Sequence, residues 1–148
     1  MIMDPSSAYR LTAGQNAGPI RLVITLYEQL IKDLRRAITA MENKDLQARI
    51  QEIDHALRVV GQLQGTLNSE LGGEVAKNLD QFYFLVRAKL LEAQISVSPE
   101  LLREQISRLL LLREAWIEVE VTLAKNELTS PSVLVSTADG DSSSEWRA

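Results

Sequence analysis

The chain has 148 residues, enough for one domain and short for two. It contains no cysteine, which excludes disulfides and thiolate metal sites, and its formal charge of −4 argues against non-specific binding to nucleic acid or an anionic membrane. Hydrophobic residues make up 45% of the sequence but aromatics only 5%, so aliphatic side chains must fill the core, which suits packed helices better than sheets.

Residues 1–18 read as a polar, turn-forming N-terminal arm whose apolar members include Tyr9 and Leu11. Met1-Ile2-Met3-Asp4-Pro5-Ser6-Ser7 lacks the basic region and apolar stretch of a secretory signal. The densest apolar run, Leu109–Leu112, falls far short of the ~20 residues that a membrane span needs. The expected location is therefore cytoplasmic, with no membrane insertion.

Pro19 fits the first turn of a helix, where its missing N–H costs nothing. From there Ile20, Ile24, Tyr27, Ile31, Leu34, Ile38 and Met41 alternate steps of four and three, the seam of a packed helix. Val23, Leu26, Leu30 and Ala37 form a second row beside it, wide enough to touch two neighbours, or one neighbour and a ligand. Asn43-Lys44-Asp45 is a turn, with Asp45 placed to cap the next helix. Leu46, Ile50, Ile53, Leu57, Val60, Leu63, Leu67 and Leu71 carry the second stripe. Gly61 and Gly65 interrupt it, each costing about 1 kcal/mol relative to alanine. Four apart, they lie on one side, where they either admit another backbone or are tolerated at an exposed position.

Gly72-Gly73 ends that helix, and a third is expected from about Glu74 to Ile95 with Val75, Leu79, Phe82, Val86, Leu90 and Ala93 in register. Ser98-Pro99-Glu100 is a start signal: cap, first-turn proline, first-turn acid. Leu102, Leu109, Leu112, Trp116, Val119 and Leu123 mark the fourth stripe. Four long helices joined by tight turns pack as an all-α, antiparallel up-down-up-down four-helix bundle over residues 19–125. Residues 126–148 are rich in Ser, Thr, Asp and Gly and read as a flexible polar tail, with a short apolar patch at Val133-Leu134-Val135 and a lone Trp146; the alternative is a partner-binding peptide.

Little in this pattern supports catalysis. Glu52-x-x-His55 has the spacing of a carboxylate-bridged metal bundle, but a complete site needs the motif twice and His55 is the only histidine. The stripe through Ile50, Ile53 and Leu57 also places Glu52 and His55 off the core face, so His55 is expected to be solvated. The acids are expected on polar faces beside Lys or Arg, and the glycines match no nucleotide-binding loop. Lys32, Arg35 and Arg36 form a small basic group, expected to be a solvated face. No cofactor is implied and no enzyme can be built from these parts.

An ordered set of residues goes further. It comprises Tyr9, then Pro19, then Leu26-Tyr27-Glu28 with Ile31, Leu34, Ala37 and Ile38. Asp45, Leu63-x-x-x-Leu67 and Gly72-Gly73-Glu74-Val75-Ala76-x-Asn78-Leu79, leading to Tyr83, come next. Leu90, Ala93 and Glu114-Ala115-Trp116 complete it. The set resembles the flagellin-specific export chaperones, the FliS family, from about Tyr9 to about Trp116. The resemblance implies a four-helix bundle that binds the C-terminal segment of flagellin, blocks its premature polymerisation and delivers it to an export-gate component. It places client contacts at Tyr9, Leu11, Leu26, Tyr27, Leu67, Leu71, Leu79 and Tyr83, each of which also suits ordinary core packing. Tyr9 and Leu11 then belong to an arm that closes one end of the bundle, acts as a displaceable lid, or does both. The sequence departs from the family in having one tyrosine in the arm rather than two, an aromatic Phe82-Tyr83-Phe84 run and a long tail. Two other classes stay open: an adaptor bundle that self-associates as a homodimer, and a metal site shared across such a dimer.

Overall fold

The computed structural model describes residues 17–70 and 73–129. They form four helices: α1 (Ala17–Glu42), α2 (Leu46–Glu70), α3 (Gly73–Ser96) and α4 (Pro99–Thr129). Two of the three turns use the same device. The α1–α2 turn has Asp45 N–H donating to Ala40 O (2.8 Å) and Lys44 N–H to Met41 O (3.1 Å), with Lys44 at φ 57°. That is a Schellman ending with a lysine where glycine is usual. The α3–α4 turn carries the outer bond of the same motif, Ser98 N–H to Ala93 O (3.2 Å), and puts Val97 at φ 53°. A β-branched residue there is strained. Gly73 opens α3 at φ 68°, where glycine has no such cost.

Side-chain caps start α2 and α4 as their sequences imply. Asp45 Oδ1 accepts from Ala48 N–H (3.1 Å), and Ser98 Oγ accepts from Leu101 N–H (3.2 Å). These tight turns force neighbouring helices antiparallel. α1 packs on both α2 and α4, and α3 packs on the same two, so the helices form a closed ring around one core. The broad apolar face of α1 thus serves two neighbours. Tyr27, Leu30 and Leu34 of α1, Ile53, Val60 and Leu63 of α2, Tyr83 and Leu90 of α3, and Leu102 and Leu109 of α4 are fully buried. Each such aliphatic side chain contributes roughly 1.5–3 kcal/mol. Ion pairs join α1 to α4 along their length: Arg21 to Glu120 (2.5 Å), Arg113 to Glu28 (2.7 Å) and Arg103 to Glu42 (2.8 Å).

Several sequence expectations are corrected at the edges. Leu46, Ile50, Val75 and Val119 fit the heptad-like stripes yet are exposed. Asp33 is no polar-face acid: it is 1% exposed, accepting from Gln29 Nε2 (2.8 Å) and from His55 Nδ1 (2.5 Å). A carboxylate only accepts, so His55 carries its hydrogen on Nδ1. His55 is off the core face as expected, but it covers a buried carboxylate rather than standing free in solvent. Gly61 and Gly65 admit no backbone of the described residues. An added Cβ at Gly61 would meet only the Arg87 guanidinium at 3.6 Å, and at Gly65 nothing within 4 Å.

Candidate partner-binding site

The inward face of α3 holds Tyr83, Val86, Leu90 and Ala93. One step around the helix lie Phe84, Ala88, Leu91 and Ile95, at the i, i+4, i+7, i+11 spacing of a single stripe. Phe84 is 63% exposed and Ile95 84%, with Leu91 nearly half exposed. The stripe lies on the α2 side of α3. Its neighbours around the helix, Arg87 and Gln94, reach α2: Arg87 NH2 donates to Gln64 Oε1 (3.2 Å) and Arg49 Nε to Gln94 Oε1 (3.0 Å).

The facing flank of α2 is also apolar. Leu46 and Ile50 are exposed, Leu57 is half-buried against the core, and Gly61 follows one turn on. α2 and α3 therefore border an outward-facing apolar seam from Leu46 and Ile95 to Gly61 and Phe84. At 1.5 Å per residue it is ~22 Å long, about four helical turns. Exposed apolar rows of this kind, here flanking the Arg87–Gln64 and Arg49–Gln94 hydrogen bonds, are what a partner's amphipathic helix covers. Gly65, at the far end of the seam, has open space above it among the described residues, while Gly61 lies under the Arg87 guanidinium.

Beneath the surface is a polar contact across the ring's diagonal. The Tyr27 and Tyr83 hydroxyls are 2.9 Å apart, with ring centroids at 6.2 Å in an edge-to-face arrangement. Burial pushes the Tyr27 hydroxyl above its ordinary value near 10, opposed by hydrogen bonding to Tyr83 and by the nearby Trp116. Burial raises Tyr83 further, reinforced by repulsion from Tyr27 and by the shared hydrogen bond. Both stay protonated at neutral pH and hold structure rather than move protons. The Trp116 indole N–H lies beside the Tyr27 hydroxyl but outside hydrogen-bond geometry, and Gln105 is buried with both amide atoms unpaired among the described residues.

The eight residues singled out in the sequence divide accordingly. Tyr27, Leu67 and Tyr83 are core residues, and Leu26 and Leu79 are half-buried and packed against the same core. Tyr9, Leu11 and Leu71 lie outside the described residues. The structure brings Tyr27 and Tyr83 into contact. Sequence reasoning missed Phe84, Leu91 and Ile95. Their signal was present: a second apolar row on the third helix, one residue out of register with the core row.

The fold defines a class, the antiparallel four-helix bundles, here with exposed apolar rows on α2 and α3. The model of the family described as Flagellar protein FliS matches residues 2–123. The chain is 36% identical over 101 residues to the flagellar secretion chaperone FliSB of Pseudomonas aeruginosa, covering 68% of this chain and 80% of that protein. It is 31% identical over 120 residues to the flagellar secretion chaperone FliS of Campylobacter jejuni, covering 79% and 94%. To the Bacillus subtilis FliS it is 27% identical over 115 residues, covering 78% and 85%. The chain belongs to the FliS family of flagellar secretion chaperones.

Proposed function

We propose that this protein is a cytoplasmic chaperone that binds the C-terminal segment of flagellin, keeps it from polymerising and hands it to the export gate. The observation that carries this reading is the exposed α2–α3 seam in a member of the FliS family. Its length and apolar character suit an amphipathic helix that folds as it binds. Among the described residues no helix is long and apolar enough to cross a membrane, in keeping with a client met in solution.

A second set of client contacts in this reading is the half-buried pair Leu26 and Leu79, which pack against the core that holds Tyr27, Leu67 and Tyr83. In this reading Tyr9, Leu11 and Leu71, which lie outside the described residues, add to the client contacts. Ordering the client costs free energy, which moderates affinity and permits release at the gate.

The test uses a flagellin C-terminal peptide with calorimetry and circular dichroism. Helicity should rise on mixing, and the exposed substitutions Leu91→Glu and Ile95→Glu together should weaken binding more than tenfold, about 1.4 kcal/mol. No binding at tens of micromolar would remove flagellin as the client. Binding that survives both substitutions unchanged would remove the seam.

A further inference from the structure

On the far side of α1 from α3 is a cleft of about 700 Å³ walled by α1, α2 and α4. Its floor is apolar, with Ile31 and Ala40 of α1 and Leu110 of α4. Its rim carries Lys32, Arg35 and Arg36, all exposed and with no ion-pair or hydrogen-bond partner among the described residues. The fourth cation of the cleft, Arg113, is held by Glu28 through both Nε (2.9 Å) and NH2 (2.7 Å). Of the other two acids there, Asp45 is engaged as the α2 cap, which leaves Glu52 facing three free cations. In a chain of net charge −4 this cleft is a local cationic site.

We propose that the chain's own C-terminal segment, residues 130–148, docks in this cleft. The chemistry matches: the segment holds Asp139, Asp141 and Glu145 against a single cation, Arg147, with Trp146 next to Glu145. A tryptophan ring fits the apolar floor and packs against guanidinium planes. The reach matches too. Antiparallel pairing of Arg113 with Glu28 and Arg103 with Glu42 sets Arg35 and Arg36 opposite the Ile106–Leu109 stretch of α4. At 1.5 Å per residue, the end of α4 at Thr129 lies ~35 Å from that level. An extended chain covers ~3.3 Å per residue, so Asp141 reaches ~40 Å and Glu145 ~53 Å from Thr129. The short tether keeps the acids at an effective concentration in the millimolar range, enough for individually weak ion pairs to hold the segment. The family match ends at residue 123, so the segment is an addition to the shared fold. The cleft is lined by other residues than the α2–α3 seam, and the docking does not depend on which client that seam takes.

The absence of cysteine makes a clean test possible. A spin label at Ser143→Cys should reduce amide signals of residues 32–39 and of Ala48 to less than half. The effect should vanish in ~0.5 M salt, where charges are screened beyond a few ångströms, and in the exposed double variant Arg35→Glu/Arg36→Glu. Three results overturn the proposal: broadening confined to the end of α4 or to the α2–α3 seam, broadening that survives the double charge reversal, or broadening seen when labelled chain is mixed with a separate isotope-enriched chain, which would make the contact intermolecular.

Discussion

Replacing Tyr27 or Tyr83 by phenylalanine isolates the one hydrogen bond that crosses the ring's diagonal among the described residues. Both hydroxyls are buried and 2.9 Å apart, and the rings keep their edge-to-face contact in the variants, so apolar burial is unchanged. Tyr27→Phe strands the Tyr83 hydroxyl in a dry core, and Tyr83→Phe strands that of Tyr27. Each loses the bond and leaves a desolvated orphan, about 1–3 kcal/mol of destabilisation. The double variant leaves no orphan and loses only the net value of one bond, about 1 kcal/mol. The double-mutant cycle should therefore show a coupling of about 1–5 kcal/mol, the two single losses less that of the double variant, which is more stable than the sum of the singles. Urea unfolding measures this directly, provided that the m-value is common to all four proteins. Additive single effects would refute the reasoning, since they would mean that the hydroxyls do not depend on each other.

The same pair sets the alkaline limit. Both tyrosines ionise higher in the folded chain than in the unfolded one, so their contribution is complete below pH ~10 and falls as pH rises beyond it. Unfolding followed between pH 9 and 11 should steepen near 10 for the natural chain and flatten in the double phenylalanine variant. Gln105→Leu removes a buried amide with neither atom paired and should raise stability by about 1–3 kcal/mol, read as a higher urea midpoint. Gly65→Ala places a methyl in open space on a helix and should add about 1 kcal/mol by the same measurement.

The four helices were legible because apolar spacing, Pro19, Asp45 and Ser98-Pro99 all point the same way, and local signals need no knowledge of neighbours. Two kinds of feature were not. Asp33 looks like any surface acid between Lys32 and Leu34, and only the approach of α2 turns it into a buried group under His55. Leu46 and Ile50 continue the core stripe in sequence, but whether a helix end is covered depends on where its partner stops. The candidate seam arises from the same ambiguity: Phe84, Leu91 and Ile95 belong to no buried row, and periodicity alone does not say what an extra apolar row is for. Tyr27 and Tyr83 were both singled out, yet their contact joins positions 56 apart in sequence that no local pattern relates.

The ring closes where α1 meets α4, and its ion pairs bridge sequence separations of 99, 85 and 61 residues. Arg21 and Glu120 set the start of α1 beside the last third of α4, so the segments before Ala17 and after Thr129 leave from one end of the bundle. A force applied between those two segments acts across the α1–α4 interface rather than along it. It separates the helices pair by pair, Arg21–Glu120 first, instead of shearing the whole interface at once.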